Sequence, residues 1–395
     1  MRIGIYSGEI PTSKFIEQML QDFASKGHEV YVYGTQKGEI DYYRKLSINP
    51  RIFPKNKLAI ILLANFLIIR LLINRRYIIS KLLTSIFIST KNWKHFFARC
   101  NRVLLPFVDN LDVLHIQWAK SVVNYSEFVK YINCKVILSL RGTHINVSPV
   151  VDNRLANLYR TYFPLVDKFH AVSYSIAKEA NKYGAEMNKI SIINPAVNKT
   201  IFKHNNKNIK KTNTKSLNIV SIGRFHWIKG YTYALDAMSI LKTEGINFHY
   251  TIISSDLVSE NIQYQLNDLD LGDYIEIIYG LSNDKVIEQL PNYDLLILPS
   301  FEEGISNAVL EAMALRVPVV STNCGGMNEI INHNENGFLI PIRDSIKLAE
   351  EIKKFIKMSE SKILKIVDAA EQTIKDNYLL DHQVNKMLQI YKDPN

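Results

Sequence analysis

Between Tyr42 and Val108 the chain has no aspartate or glutamate, although thirteen lysines and arginines fall there. Residues 1–120 carry 18 basic against 8 acidic side chains, a surplus equal to the formal +10 of all 395 residues. The positive charge is therefore a local property of the first third. Cysteine is also scarce. Cys100, Cys134 and Cys324 are too few and too scattered for a disulfide framework, and no pair has metal-site spacing. A reducing, cytoplasmic setting is expected, and Arg2 leads straight into a strand-like run rather than a secretory apolar core. Long apolar runs are missing as well. The longest, Leu58–Ile73, is interrupted by Asn65 and Arg70 and as a helix spans about 24 Å, short of the ~30 Å of a bilayer core. Two uses for this segment remain. One is a helix packed in the first half with its basic neighbours in solvent. The other, preferred here for residues 44–105, is a basic apolar surface lying on an anionic membrane leaflet, which makes the expected location cytoplasmic and peripheral on the inner membrane face. Nucleic acid is the weaker partner, because the cations interleave with aliphatic runs and no nucleic-acid motif accompanies them.

What is present suits two domains. The length exceeds one ordinary core, while 47% hydrophobic and 22% charged residues are ordinary for a globular protein. Strand-like and helix-like patterns alternate through both halves. Residues 203–216 (KHNNKNIKKTNTKS) are polar and apolar-poor, which marks a linker. The division expected is 1–202, then the linker, then 217–375, with 376–395 returning to the first domain.

Three stretches of the second half carry chemistry. In IVSIGRFHWIKG (219–230), a buried strand ends at Gly223, and Arg224 and Lys229 lie in the loop before an amphipathic run. Open α/β sheets bind ligands at the carboxyl ends of their strands, and a fork-shaped Arg with a point-charge Lys suits a diphosphate. The bland alternative is a solvated basic loop. In EEGISNAVLEAMALRVPVV (302–320), Glu303 and Glu311 stand eight positions apart across Gly304. An apolar strand (295–299) precedes them and a helix-forming run (308–315) holds the second. Such a join aims unpaired N–H groups at whatever lies above the sheet. Gly304 lets the main chain approach, Ile305 leads into the turn, and Ser306 or Asn307 can cap the helix. Here the bland alternative is two acids complementing a helix dipole. In STNCGGMNEII (321–331), Gly325-Gly326 follows a strand and Glu329 opens a helix, or else merely caps it.

These three stretches together, in this order, resemble the C-terminal half of the retaining glycosyltransferases of family 4, also called group 1, most closely over residues 217–345. The resemblance implies an α/β fold of the GT-B kind, with two Rossmann-like parallel-sheet lobes facing a central cleft and a terminal helix (378–391) crossing back to the first lobe. The first half is similar more loosely. The family's Gly-Gly pair in the first loop is reduced here to Gly8, followed by Pro11, Thr12 and Ser13. Arg141-Gly142-Thr143 stands where many relatives have His before the glycine, a variant more like the members that build bacterial exopolysaccharide, O-antigen and capsule chains.

By that resemblance the donor is a UDP- or GDP-type sugar, and the acceptor is a hydroxyl on a lipid-linked or polysaccharide glycan. Arg224 and Lys229 would stabilise the departing diphosphate together with amides after Ser306, Glu303 would hold sugar hydroxyls, and Glu311 the ribose. Gly8, Gly223, Tyr279 and Gly280 complete the expected donor site. Arg141, His144 and Thr12 are expected on the sugar and acceptor side, with His115 as a further catalytic candidate. The family implies neither cofactor nor divalent metal. Asp268-Leu269-Asp270 looks like a metal-binding acid pair only superficially, since it sits in a polar stretch before Gly272. Fold alone does not fix activity. The rival readings are a non-catalytic sugar-nucleotide-binding protein and an epimerase of the same fold.

Overall fold

A computed structural model describes residues 1–90, 92–126, 128–205 and 216–393, with the side chains of Tyr42, Asn74 and Lys94 left aside. The chain forms two compact units. The first comprises Met1–Val172, Ile176–Ile193 and Val384–Asn395, and the second Ser173–Ser175 and Asn194–Gln383.

The first unit is built on seven parallel strands, in chain order β1 (Arg2–Ile10), β2 (Glu29–Gln36), β3 (Ile48–Ile52), β4 (Val113–Ile116), β5 (Lys135–Leu140), β6 (Lys168–Ala171) and β7 (Ile190–Ile192). Their spatial order is β3-β2-β1-β4-β5-β6-β7. The second unit has six, β8 (Leu217–Ile222), β9 (Phe248–Ser254), β10 (Ile275–Tyr279), β11 (Leu295–Leu298), β12 (Val319–Thr322) and β13 (Phe338–Ile340), in the order β10-β9-β8-β11-β12-β13. All pairings are parallel. The central strands β4, β5, β11 and β12 are buried at every position. Helices covering both faces of a parallel sheet produce that pattern, and it explains why these strands are mostly apolar, with only His115, Lys135, Ser139, Ser321 and Thr322 as exceptions. In each unit the strand order reverses beside the first strand of the sheet, between β1 and β4 and between β8 and β11. Both points are topological switch points, where doubly wound sheets open a crevice at the strand ends.

The unit boundaries differ from those expected. Asn194–Asn205 join the second unit because Val197 bridges Leu379, with Val197 donating to the Tyr378 carbonyl at 2.9 Å and Leu380 to that of Val197 at 3.0 Å. Val197, Ile201 and Tyr378 then sit in the same core as Val309 and Met313. The return to the first unit comes at Val384, inside the Leu380–Lys392 helix, rather than at 376. There Lys135 Nζ donates to the carbonyls of Ile390 (2.7 Å) and Asp393 (2.5 Å), placing a cation on the carboxyl end of that helix. Of the expected linker, residues 206–215 lie outside the described residues.

The acid-free segment forms a much longer helix than Leu58–Ile73. It runs over Lys57–Thr90, 34 residues, as two helical segments joined at a kink at Arg75 (φ −142°, ψ 40°). The expected apolar run ends at Ile73, before the polar break Asn74-Arg75-Arg76. Ala64, Leu67, Leu71, Ile79, Leu82 and Ile86 anchor one face in the first unit's core. Among the described residues, no helix is long and apolar enough to cross a membrane.

Candidate active site

The second unit gathers its motifs around β8, β11 and β12. Gly223 leaves β8 with φ 159°, and Tyr231 caps the turn by donating to the Gly223 carbonyl at 3.0 Å. A one-turn 3₁₀ helix, Trp227–Lys229, then ends at Gly230. A side chain at Gly230 is excluded twice over. Its φ is 67°, and a Cβ there would lie 2.1 Å from the Pro299 carbonyl oxygen. The loop after β8 is thereby pressed against the loop after β11, and Phe301 N–H donates to the Ile228 carbonyl at 2.7 Å.

That contact brings Lys229 Nζ to 2.6 Å from Glu303 Oε1, in a pair whose side chains are 21% and 15% exposed. Ser300 Oγ donates to the same oxygen at 2.9 Å. Both bonds fall on Oε1, which leaves Oε2 for another donor, while Lys229 uses one of its three N–H donors on Glu303. Arg224 stands exposed on the same loop. The two cations are therefore not equivalent. Lys229 is neutralised by an acid of the protein itself, so a bound anion is not needed to balance it as the sequence argument required.

Gly325-Gly326 has a structural explanation. A Cβ on Gly325 (φ 52°) would lie 1.7 Å from the Glu303 carbonyl oxygen, and one on Gly326 would lie 2.2 Å from that of Gly304. Gly326 N–H donates to the Gly304 carbonyl at 3.0 Å. The glycine pair is the bed on which the Glu303 loop rests. Glu329 closes a 3₁₀ turn rather than opening a helix. Its carboxylate accepts from the backbone N–H groups of Tyr174 (2.9 Å) and Ser175 (3.0 Å), residues of the same unit.

The helix after this loop is Asn307–Ala314, with Ser306 at the N-cap but no side-chain cap bond. Its first-turn amides thus receive nothing from Ser306, and Ile305 and Ser306 are buried beneath the turn. One turn further, Glu311 accepts from Asn283 Nδ2 at 3.0 Å. Tyr279, 42% exposed, ends β10 before Gly280 (φ 67°), and its hydroxyl lies 3.4 Å from the Val258 N–H. Ser300, Asn283 and Tyr231 were missed in the sequence, since single polar residues in turns carry no spacing signal. Asp270, of the acid pair, has φ 49° and pairs with Lys242 at 2.7 Å. Among the described residues no three His, Cys, Asp or Glu side chains cluster as metal ligands.

In the first unit, Arg141 and His144 lie just beyond β5 and meet Gln117 and Trp118, just beyond β4. Arg141 Nη2 donates to Gln117 Oε1 at 3.2 Å. Its guanidinium carbon lies 4.7 Å from the Phe15 ring centre and 5.9 Å from that of Trp118, and the His144 ring lies 5.5 Å from Trp118. Three buried atoms here have no hydrogen-bond partner: Arg141 Nε, Gln117 Nε2 and His144 Nδ1. Burial lowers Arg141 to about 10. Burial, with the charges of Lys120 and Arg141, lowers His144 to about 4, so its imidazole is neutral near pH 7. Polar atoms left unpaired in this way favour a ligand that supplies acceptors. Gly8 (φ 88°) has open space where a Cβ would point.

Two expectations need correction. His115 is fully buried, with Nδ1 2.6 Å from the Tyr391 hydroxyl and Nε2 2.8 Å from Ser139 Oγ. Ser139 continues to His170 at 2.8 Å, and His170 to the Ile193 carbonyl at 2.9 Å. Both ring nitrogens of His115 are committed, so it positions the terminal helix and has no free nitrogen for a substrate. Thr12 is likewise occupied, since its N–H and hydroxyl both reach Glu17 Oε1, at 2.5 and 2.9 Å.

Comparison with known proteins decides what these loops belong to. The family model described as "Glycosyl transferases group 1" matches residues 202–373, the stretch that holds the Lys229–Glu303 pair. Residues 202–373 therefore form a group 1 glycosyltransferase domain. The chain is 25% identical over 279 residues to the amylovoran biosynthesis glycosyltransferase AmsK of Erwinia amylovora, covering 69% of this chain and 67% of that protein. In fold, the chain is similar to a glycosyltransferase from Rickettsia africae ESF-5, with a TM-score of 0.72 at 20% identity, covering 99% and 97% of the two chains. It is also similar to Anabaena Alr3699/HepE in complex with UDP, with a TM-score of 0.71 at 13% identity and 98% of each chain covered. The two parallel-sheet units are those of the GT-B fold.

Proposed function

We propose that this glycosyltransferase moves a sugar from a nucleoside diphosphate to an acceptor hydroxyl, with retention at the anomeric carbon, in building a bacterial surface polysaccharide. The observation that carries the reading is the Lys229–Glu303 pair beside the uncapped first turn of the Asn307–Ala314 helix. Departure of the diphosphate builds negative charge, and Arg224, the remaining donors of Lys229 and the first-turn amides are the groups to receive it. Glu303 Oε2 accepts from a sugar hydroxyl and Glu311 from the ribose, while Tyr279-Gly280 lies toward the base. A phosphate oxygen of the leaving group takes the acceptor's proton on the same face, so no protein base is required. The reading is independent of a divalent metal. The relatives' part in amylovoran biosynthesis and the UDP bound by the Anabaena protein support this substrate class. We also place the acceptor on a lipid carrier at the cytoplasmic face of a membrane.

The test is release of nucleoside diphosphate across a panel of UDP- and GDP-sugars, with Lys229→Ala and Glu303→Ala as controls and chelator present in one arm. Proton NMR of the product reads the anomeric configuration. Binding of donors without release in every donor–acceptor pair would favour the non-catalytic reading, and inversion would remove retention.

A further inference from the structure

We infer that the outer face of the Lys57–Thr90 helix is a docking surface for the headgroup region of an anionic lipid bilayer. The inference deepens the membrane-side placement of the acceptor, and it rests on that placement but not on the transfer chemistry.

The helix is apolar on two opposite sides. Its inner side is in the core. Before the kink its outer side carries Leu58, Leu62, Phe66, Ile69 and Ile73 at steps of three or four residues, 65%, 60%, 55%, 63% and 79% exposed in that order. Such spacing aligns them in one stripe. Isolated exposed apolar side chains are ordinary, but a continuous stripe of large ones marks an interaction surface. Past the kink at Arg75, Tyr77 is 70% exposed, and Phe87, Ile88 and Trp93 are exposed as well, with Trp93 5.4 Å from Phe87 between ring centres.

The margins of the stripe are cationic. Arg70 lies over the Phe66 ring at 5.9 Å, and Lys81 over the Tyr77 ring at 4.2 Å. Lys57 and Arg76 are exposed on the same helix. The charge pattern selects the occupant. No acid occurs between Tyr42 and Val108, so a second copy docking the same face would bring cations against cations. An apolar stripe bordered by Lys and Arg, with Trp and Tyr among its aromatics, matches a leaflet that offers acyl chains between anionic headgroups. Because the inner side is packed in the core, the helix lies in the plane of the leaflet and does not cross it.

The experiment is flotation of the full chain with vesicles of phosphatidylcholine alone and of phosphatidylcholine with phosphatidylglycerol in equal parts, at low and high salt. The wild type is expected to float with the anionic vesicles at low salt only. Leu62→Gln/Phe66→Gln/Ile69→Gln changes exposed positions, and its thermal melt confirms folding. It should weaken partition at least tenfold while leaving turnover of a short soluble acceptor unchanged. Equal flotation of the variant and the wild type, or no flotation of the wild type, would overturn the inference. So would a wild-type dimer that becomes monomeric in the variant by analytical ultracentrifugation. Wild-type turnover of the soluble acceptor reads the transfer chemistry separately, so failure of one reading is distinguishable from failure of the other.

Discussion

Lys229 Nζ lies 2.6 Å from Glu303 Oε1, joining the loop after β8 to the loop after β11. The pair holds the lysine's position before any anion arrives and aims the free carboxylate oxygen away from it. Nucleotide binding then asks little side-chain ordering of either group.

Removing one partner leaves the other half-buried and uncompensated. A charge-assisted hydrogen bond contributes about 1.5–3 kcal/mol, so Lys229→Ala should lower kcat/KM by roughly ten- to a hundredfold. Glu303→Ala should do the same, with the larger part in kcat if its free oxygen grips the sugar as the anomeric bond breaks. Ser300→Ala removes only one of two bonds to Oε1 and should cost less than tenfold. Steady-state kinetics of diphosphate release check all three.

The glycine bed makes a sharper demand. Gly325→Ala places a methyl 1.7 Å from the Glu303 carbonyl oxygen, which is backbone and cannot swing aside. The Glu303 loop must move. Activity should fall more than a hundredfold, as misplacement by ~1 Å does in well-oriented sites. The melting temperature should also drop by several degrees. Gly245, where a Cβ would meet nothing within 4 Å, is the comparison site. Gly245→Ala at its φ of 71° strains the backbone but leaves the loop in place, so it should lose stability and keep turnover.

Arg141 points to a trade between stability and use. Among the described residues its guanidinium is held by Gln117 and two aromatic rings, with an unpartnered Nε and no carboxylate ion pair. Arg141→Met keeps the stem and removes a buried charge, so its melting temperature should equal or exceed that of the wild type. Its KM for the acceptor should rise tenfold or more, with affinity for the nucleotide unchanged by isothermal titration calorimetry. A variant that melts higher and transfers normally would show that the cluster takes no ligand.

The parallel sheets were legible because buried central strands are mostly apolar, and the second unit's loops because glycines and charges at strand ends carry a spacing. What escaped has physical causes. The Lys57–Thr90 segment continues past the polar break Asn74-Arg75-Arg76, where a count of apolar residues stops, so its length was hidden. His115 looked available because it ends a strand-like run. A strand residue alternates between faces, and nothing local shows that Tyr391, 276 positions later, closes over it. Lys229 and Glu303 were read as separate grips on a ligand, since an ion pair across 74 positions is a fact of the fold and not of the motif.

The buried histidine chain gives a pH signature. Burial depresses His115 well below its usual value and His170 to about 3, and the nearby Arg141 pushes both the same way. In the unfolded chain both titrate near 6.5. The unfolded state therefore binds more protons as pH falls below 6.5, and folding stability must decline. The contribution is fully present above pH 6.5 and is lost as pH falls below it, for His170 down toward pH 3, at about 1.4 kcal/mol per pH unit for each neutral histidine. Urea unfolding between pH 6 and pH 4.5 measures the slope, to which native carboxylates also contribute. His170→Gln removes one titrating group, and its slope should be smaller than that of the wild type by about one proton. A slope unchanged by the substitution would mean that His170 already carries its charge in the folded protein, contrary to the depression that its burial imposes.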